Sequence, residues 1–351
     1  MKTMDVVVIG GGIIGAFVAC KLNKSGIKKI ALLEKLEIGN GATGQSGGIV
    51  RVYHSDPLLS DLALEGFKEY QAECDLSEQE CAFTRTGFLY MESVHEFADL
   101  QRECSRLLTN GAAIEILSAQ EGASRFPEFK WNDLNGAIYE PDAGYMDPLL
   151  ATKALTRKLA NRGVELYEGI EVYEILQEQG QTIGVRTSAE TIYCPHVIIC
   201  AGAWSSALLS DCTISERIRS KSIQFQIAKL QHAPRTGFID SSMDLYSRPY
   251  MNDFTLIGLP VDEWDIDVEH RTSIDLGQER RVLQAASHRF SHWGEVSTYG
   301  GRKSFDAYSV GGCGIVEEIP ELKGTIIASG FSGSGVKIAP AVGNRVVQLL
   351  S

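Results

Sequence analysis

The sequence predicts an α/β fold in which distant segments of the 351-residue chain supply strands to one parallel sheet. Three apolar runs each lead into glycine: VVVIGGGIIGA at 6–16, HVIICAGAW at 196–204 and GTIIASGFSGSG at the start of 324–350. Unbroken β-branched runs are typical of strands buried on both faces of a parallel sheet. Because ligands of such sheets lie at the carboxyl ends of the strands, we expect one ligand to span these turns.

Composition excludes several classes of function. The apolar fraction of 44% and charged fraction of 22% are ordinary for a globular protein, and the net charge of -12 argues against nucleic acid as a partner. The eight cysteines contain no Cys-x-x-Cys pair or metal-ligand spacing, so we interpret them as reduced core thiols and expect no metal. Asp5 and the following glycines interrupt the first apolar run, which argues against a secretion signal, and no run approaches the roughly 18 residues of a membrane span. We therefore expect a cytoplasmic protein without a membrane span.

The first glycine turn has the features of a dinucleotide site. Gly10, Gly12 and Gly15 follow a strand and open a helical pattern, where they permit a tight turn, approach of a pyrophosphate and close helix packing. The helix N-terminus offers amide donors to phosphate. A second strand over Ile30–Leu33 ends at Glu34, whose carboxylate suits a ribose 2'-hydroxyl. This unit alone fits NAD as well as FAD.

Two later segments extend the predicted site. The segment GNGATGQSGGIVR, at 39–51, is rich in small and hydroxylated residues, which suit a loop around a second phosphate or a flavin edge. A solvent-exposed loop that binds no ligand would have a similar composition. The segment 324–350 reads as a strand, a glycine turn and a closing amphipathic helix. We expect one side of that helix to carry Ile338, Ala341, Val342, Val346 and Leu349.

Taken together, these motifs resemble the D-amino-acid oxidase superfamily of FAD-dependent oxidoreductases, which includes glycine oxidase and monomeric sarcosine oxidase. The similarity is carried by VVVIGGGIIGA, Glu34, GATGQSGG, GYMDP at 144–148, AGAW at 201–204 and GFSGSGVKIAP at 330–340. It spans nearly the whole chain and is weakest over roughly 80–140 and 215–295.

The resemblance implies a Rossmann-like parallel-sheet domain for FAD, interleaved with an α+β substrate domain built on an antiparallel sheet. The FAD domain would take 1–80, 145–215 and 315–351, and the substrate domain 81–144 and 216–314. The FAD contacts implied are Gly10, Gly12, Ile13, Ile14, Gly15, Glu34, Lys35, Ala42, Thr43, Gln45, Ser46, Gly47, Val172, Ala201, Gly202, Trp204, Gly330, Gly333, Ser334, Gly335, Val336 and Lys337.

The resemblance also implies the chemistry, which is hydride transfer from a small primary or secondary amine or amino acid, similar to glycine or sarcosine, to flavin N5. Positioning then supplies most of the catalysis. A substrate carboxylate needs a fixed cation. Arg302 resembles the carboxylate-binding arginine of D-amino-acid oxidase and glycine oxidase, and it is the residue favoured for binding the substrate. Arg51 and Lys337 resemble the carboxylate-binding pair of sarcosine oxidase. For each, a structural ion pair or a flavin contact is the alternative.

Departures from the family pattern modify these expectations. Ser304 stands near the position of the flavin-linked cysteine of sarcosine oxidase, so we expect noncovalent FAD, and Leu256 stands near the position of its oxygen-activating lysine. The second hypothesis is therefore a maturation factor that oxidises a partner protein, as in tryptophylquinone biogenesis. A flavin-free module is the third, and the conformational entropy of the many glycines argues against it.

Overall fold

The computed structural model describes residues 2–72, 78–93, 97–230, 232–270, 273–292 and 296–351. The strands are β1 (Lys2–Thr3), β2 (Val6–Ile9), β3 (Ile30–Leu33), β4 (Ile49–Val50), β5 (Thr84–Arg85), β6 (Phe88–Glu92), β7 (Glu115–Ser118), β8 (Gly136–Glu140), β9 (Gly144–Tyr145), β10 (Glu165–Tyr167), β11 (Val172–Glu178), β12 (Gln181–Thr187), β13 (Thr191–Tyr193), β14 (His196–Ile199), β15 (Ile218–Lys229), β16 (Gly237–Asp240), β17 (Leu245–Pro249), β18 (Phe254–Gly258), β19 (Ser297–Ser309), β20 (Ile315–Glu318) and β21 (Thr325–Ser329).

The helices are α1 (Ile13–Lys24), α2 (Ala42–Gln45), α3 (Pro57–Ala72), α4 (Glu78–Cys81), α5 (Phe97–Thr109), α6 (Ala119–Arg125), α7 (Pro148–Asn161), α8 (Ser205–Leu208), α9 (Leu276–Arg289) and α10 (Gly335–Leu350). Two short 3₁₀ turns cover Gly202–Trp204 and Thr213–Arg217.

The predicted parallel sheet is confirmed. In the described residues its strands lie in the order β10-β3-β2-β14-β21-β20, and all neighbours are parallel except the edge pair β20 and β21. Every residue of β2, β3 and β21 is buried, as unbroken apolar strands require when helices or other strands cover both faces. The chain leaves β2 toward β3 on one side, and β14 lies on the other, so a crevice opens at the carboxyl end of β2.

A second sheet forms the other large layer, in the order β19-β15-β18-β17-β16-β6-β8-β7 within the described residues. Its strands are antiparallel except for β16 and β6. They come from residues 88–140 and 218–309, with the six-stranded sheet formed from residues outside those two segments. The division into an FAD domain and a substrate domain with the boundaries given above remains our proposal.

The closing helix α10 packs against α1 and α3 and positions the residues at its N-terminus. Four of the five residues predicted to face inward are buried, but Leu349 is exposed and its neighbour Leu350 packs against the core. Pro340 lies within the helix and has no N–H to donate to the carbonyl of Val336. Tyr70 Oη of α3 donates to that carbonyl at 2.7 Å, so a side chain replaces the missing helical hydrogen bond one residue before Lys337.

The cysteine prediction holds for most of the described thiols. Six of the described cysteines are buried, at positions 20, 81, 104, 194, 200 and 212. Cys313 is only half-buried and donates to Asp56 Oδ2 at 3.0 Å, so it is not a core thiol, and Cys74 lies outside the described residues. Across the described helices, none is both long and apolar enough to cross a membrane.

Candidate active site

A cavity of about 890 Å³ lies where the two large sheets meet. It is lined by residues at the carboxyl ends of β2, β3, β14 and β21 and by residues of β15, β16 and β17. Sites for small molecules and cofactors usually measure about 300–1,000 Å³. The cavity is therefore large enough for a ligand of dinucleotide size.

The structure brings almost all of the predicted site residues to this cavity. Those that line it are Gly10, Gly12, Ile13, Ile14, Glu34, Lys35, Ala42, Thr43, Gln45, Ser46, Gly47, Arg51, Val172, Ala201, Gly202, Trp204, Gly330, Gly333, Ser334, Gly335, Val336 and Lys337. Gly15 and Arg302 are not among the lining residues. Which of these residues touch the cofactor stays a prediction.

The first glycine turn is too tight for side chains. Gly10 has φ +106°, and a Cβ there would lie 2.4 Å from the carbonyl oxygen of Cys200. A Cβ on Gly15 would lie 1.9 Å from the Gly10 oxygen, so this glycine acts beneath the turn by letting α1 approach β2. Gly12 offers no side-chain cap to α1, and Thr43 Oγ1 accepts from Ile13 N at 3.0 Å. The N-terminus of α1 lines the cavity, so its other first-turn N–H groups fit phosphate.

Glu34 is fixed at the end of β3 by two backbone donors. Its Oε2 accepts from Gly11 N at 2.7 Å and its Oε1 from Leu36 N at 2.8 Å. A carboxylate has about four lone-pair sites, so acceptor capacity remains for ribose hydroxyls. The turn, the N-terminus of α1 and this carboxylate together fit an adenine dinucleotide.

Polar side chains from several connecting segments meet around Lys35, the residue that follows Glu34. Glu269, in the connection between β18 and α9, accepts from Lys35 Nζ at 2.6 Å and from Trp204 Nε1 at 2.7 Å. Lys35 also lies 3.2 Å from Glu171 Oε1. Burial alone would lower the pKa of Lys35, but its hydrogen bonds to the two carboxylates raise that pKa above the usual value.

Arg51 is a buried cation in the lining of the cavity. It is 8% exposed, and its guanidinium carbon lies 5.7 Å and 5.8 Å from the ring centroids of Phe88 and Tyr90, within cation–π range. Burial lowers the pKa of Arg51, and the negative charge of Glu140 partly offsets that effect. Its Nη1 is buried and has no hydrogen-bond partner among the described residues.

Lys337, in the first turn of α10, is a second buried cation in the same lining and is 6% exposed. Its pKa is lowered to about 7, first by burial and then by the positive charge of Arg51, against the attraction of Asp306 and Glu140. Burial raises the pKa of Asp306 to about 6. Glu140 is held by the N–H groups of Val52 and Tyr53 at 2.6 Å and 3.0 Å.

Arg302 takes a different position. It is exposed, and its Nη1 donates to the carbonyl of Gly44 at 2.7 Å. The buried Arg248 makes a similar contact from Nε to the carbonyl of Gly47 at 2.5 Å. In this conformation Arg248 and Arg302 both hold the backbone of the 44–47 segment.

Sequence reasoning missed three residues of the cavity. Asp306, Glu269 and His54 line the cavity, and the sequence analysis assigned no role to any of the three. Alternation along β19 places Asp306 on the same strand face as Ser304, which offered a signal. Glu269 belongs to a long connection without motif or periodicity, so nothing in its local sequence identified it.

Three further observations concern the departures from the family pattern. Ser304 lines the cavity, whereas Cys313 does not. Leu256 lies close to Gly47 of the 39–51 segment, because a Cβ built on Gly47 would be 3.8 Å from Leu256 Cδ1. Among the described residues, no three His, Cys, Asp or Glu side chains cluster in a way that could hold a metal ion.

Comparison with known proteins gives a family match over most of the chain. The family model DAO, described as FAD dependent oxidoreductase, matches residues 5–349. The sequence is similar to glycine oxidase of Geobacillus kaustophilus, with 23% identity over 99% of this chain and 92% of that protein. It is also similar to 4-methylaminobutanoate oxidase (formaldehyde-forming) of Paenarthrobacter nicotinovorans (24% identity, 97% of this chain, 43% of that protein) and human sarcosine dehydrogenase (25%, 98%, 39%). The chain thus spans less than half the length of these last two relatives.

Solved structures are similar over the whole fold. The crystal structure of L-proline dehydrogenase from P. horikoshii has a TM-score of 0.87 and 24% identity, covering 100% of this chain and 94% of that one. This agreement includes both large sheets and therefore supports the interleaved architecture as a fold.

Proposed function

This chain belongs to the DAO family of FAD-dependent oxidoreductases, and from that premise we propose that it dehydrogenates a small amino acid whose carboxylate binds Arg51 and Lys337. When bound, FAD supplies the acceptor for a hydride from the substrate carbon next to nitrogen. Relatives are named for glycine, sarcosine and 4-methylaminobutanoate, and each of these compounds carries both an amine and a carboxylate.

The observation that carries this proposal is a pair of buried cationic side chains that form no salt bridge among the described residues. Arg51 and Lys337 are each more than nine-tenths buried in one cavity lining, and neither forms a salt bridge with a described residue. Burying a charge is unfavourable unless an opposite charge or hydrogen bonds compensate. A carboxylate would accept from both groups and restore the pKa of Lys337 toward its usual value.

The residues of the chain would act mainly by positioning. The Arg51 guanidinium lies near the rings of Phe88 and Tyr90, and its planar fork presents several donors in one plane. Ile223, Phe225 and Tyr246 add apolar and aromatic surface from the eight-stranded sheet. Two fixed cations and a largely apolar wall would hold the substrate in one orientation and exclude water from it.

The test is anaerobic titration of the flavin-loaded protein with glycine, sarcosine and proline, each compared with its amide, while the visible flavin absorption is followed. We expect an amino acid to bleach the flavin with kcat/KM roughly tenfold to hundredfold above its amide, because a charge-assisted contact contributes about 1.5–3 kcal/mol. Equal rates for acid and amide would contradict the carboxylate site.

Two substitutions then identify the arginine that carries recognition. We expect Arg51→Gln to reduce the preference for acid over amide, leaving the share that Lys337 supplies, and Arg302→Gln to retain it in full, since Arg302 contacts Gly44 and does not line the cavity. The opposite pattern would assign the carboxylate to Arg302. If no free compound bleaches the flavin, the small-substrate proposal fails and oxidation of a partner protein becomes the hypothesis to test.

A further inference from the structure

Five acidic residues line the cavity, and Asp244 differs from the others in having no partner. It is exposed and belongs to the turn between β16 and β17, so it stands at the mouth of the cavity. Among the described residues, none donates a hydrogen bond to its carboxylate or forms a salt bridge with it. The other four all accept hydrogen bonds or form salt bridges, and they are Glu34, Glu171, Glu269 and Asp306.

The turn that carries Asp244 is held from the opposite face of the sheet. Asp240, the last residue of β16, is fully buried, and its Oδ1 accepts from Ser242 N at 3.0 Å and from Ser242 Oγ at 2.6 Å. Its Oδ2 accepts at 2.6 Å from Nε of Arg289, which is also fully buried. Asp244 itself has φ +56°, in the left-handed region that Asn and Asp tolerate better than most residues. The turn is therefore anchored in the core, and no contact within it uses the charge of Asp244.

The register of the eight-stranded sheet relates Asp244 to Arg51. Ile239 of β16 pairs with Tyr90 of β6 and with Tyr246 of β17, so the two tyrosines lie two strands apart in one row. The guanidinium carbon of Arg51 lies 5.8 Å from the ring centroid of Tyr90. Asp244 precedes Tyr246 by two residues. Because neighbouring strands are about 4.8 Å apart and rise about 3.3 Å per residue, the two charges are separated by roughly 10–15 Å.

The lining beside these charges is apolar and aromatic. Ile239 and Tyr246 line the cavity. The Tyr246 ring lies across β18, since a Cβ on Gly258 would be 2.3 Å from its Cζ, and its hydroxyl donates to the carbonyl of Gln224 at 3.4 Å. Phe225, which also lines the cavity, pairs with Gly258 on the far side. An alkyl chain that covers this surface removes apolar area from water.

We propose that Asp244 determines substrate specificity by binding a second cation of the substrate, so that the substrate class is the basic amino acids. This inference rests on the proposed function, with the α-carboxylate at Arg51 and Lys337 and the side-chain ammonium or guanidinium at Asp244. An extended lysine places its two charges roughly 7 Å apart, and an ion-pair contact adds about 4 Å at each end, which matches the separation given by the sheet. The competing interpretation is that Asp244 is a solvated turn residue.

Lysine and norleucine distinguish these interpretations, because norleucine has the same carboxylate, amine and alkyl chain but lacks the distal ammonium. Each compound is used as the racemate, and kcat/KM is measured at neutral pH from anaerobic bleaching of the flavin-loaded protein. Asp244→Asn removes the charge and keeps a residue type that tolerates the left-handed backbone. Asp253→Asn is the matched control, since Asp253 is exposed on the turn at the other end of β17 and does not line the cavity.

We expect the unsubstituted protein to prefer lysine over norleucine roughly threefold to fivefold, as an exposed ion pair allows. Asp244→Asn should remove this preference by lowering kcat/KM for lysine alone, and Asp253→Asn should retain it. Equal rates for the two compounds in the unsubstituted protein, or the same preference in Asp244→Asn, would overturn the inference. If neither these compounds nor glycine, sarcosine and proline bleach the flavin, the proposed function fails and this inference fails with it.

Ionic strength provides a test that needs no substitution and so guards against a folding defect in the variant. The screening length falls from about 10 Å at 0.1 M salt to about 3 Å at 1 M. Because Asp244 is exposed, the ratio of kcat/KM for lysine to that for norleucine should fall toward one at the higher concentration. The α-carboxylate is common to both compounds, so its own salt dependence cancels in the ratio. A preference for lysine that persists unchanged in 1 M salt would contradict recognition by Asp244.

Discussion

Lys337 is a buried residue of the cavity lining whose pKa lies near neutral pH. Its pKa is about 7, so its ammonium form dominates below that pH and the neutral amine above it. Because only the ammonium attracts an anion, we expect acetate affinity to fall as pH rises through about 7, measured by calorimetry from pH 5.5 to 9. Bound acetate should move the titration upward, since an opposite charge favours the protonated form.

The matched control for this prediction is Lys337→Arg, whose guanidinium stays charged across the range. Asp306, with a pKa of about 6, also becomes negative as pH rises and weakens anion binding in the same direction. The variant retains that contribution, so the difference between the two profiles isolates Lys337. Identical profiles would exclude Lys337 as the titrating group.

At this scale the sequence identified cations but not their partners. Arg51 and Lys337 were found because each stands in a short motif that resembles a family. Glu140, which supports the Arg51 segment, is 88 positions from Val52, and only the pairing of β8 with β6 brings it there. A buried carboxylate acting through backbone N–H groups has no local signature, so its role could not be predicted.

At the scale of the element, the turn between β2 and α1 is set by how closely it approaches β14. Gly10 and Gly26 share φ +106°, but a Cβ on Gly10 would lie 2.4 Å from the Cys200 oxygen, whereas a Cβ on Gly26 would have nothing within 4 Å. We expect Gly10→Ala to lose bound FAD and Gly26→Ala to retain it, as measured by flavin absorption per protein. Both variants carry similar backbone strain, so the difference reports the close approach.

A Gly10→Ala protein with a full complement of FAD would contradict this account of the turn. Loss of FAD from both variants would indicate that backbone strain, rather than contact with β14, is responsible. Thermal unfolding of each variant provides the accompanying measure of stability.

The sequence predicted strands best where both faces of the strand are buried. β2 and β3 are unbroken apolar runs, and the structure has them with the predicted bounds. The antiparallel edge strand β20, IVEE, was not foreseen, because a half-buried four-residue strand carries little periodicity. Leu349 was misassigned for a related reason, since helical periodicity does not indicate where the last turn leaves the core.

At the scale of the whole molecule, the interleaved order of the chain makes the cavity depend on contacts between distant segments. The sheet around β2 is formed from strands that begin at residues 6, 30, 165, 196, 315 and 325. Glycine motifs identified three of these strands. The order of the eight-stranded sheet, including its parallel pair β6 and β16, depends on packing across segments with no motif, so only its class could be expected from the resemblance.

Glu269 is one of these distant contacts, and its removal should affect cofactor retention. Its carboxylate joins the connection after β18 to Lys35 and Trp204, which follow β3 and β14 and line the cavity. In the salt bridge between Lys35 and Glu269 the side chains are 29% and 52% exposed. The bridge therefore contributes at most about 1 kcal/mol. We expect Glu269→Gln to speed FAD release up to roughly fivefold, measured as recovery of flavin fluorescence after dilution.

Glu263 provides a control of the same residue type and similar exposure. Glu263 lies in the connection after β18 and forms a salt bridge with Lys303 of β19 at 2.8 Å. It does not line the cavity. Glu263→Gln should therefore release FAD at the rate of the unsubstituted protein. Equal acceleration in both variants would point to a general effect of lost negative charge. An unchanged rate in Glu269→Gln would mean that the connection after β18 does not retain the cofactor, and that the turns of the six-stranded sheet hold it alone.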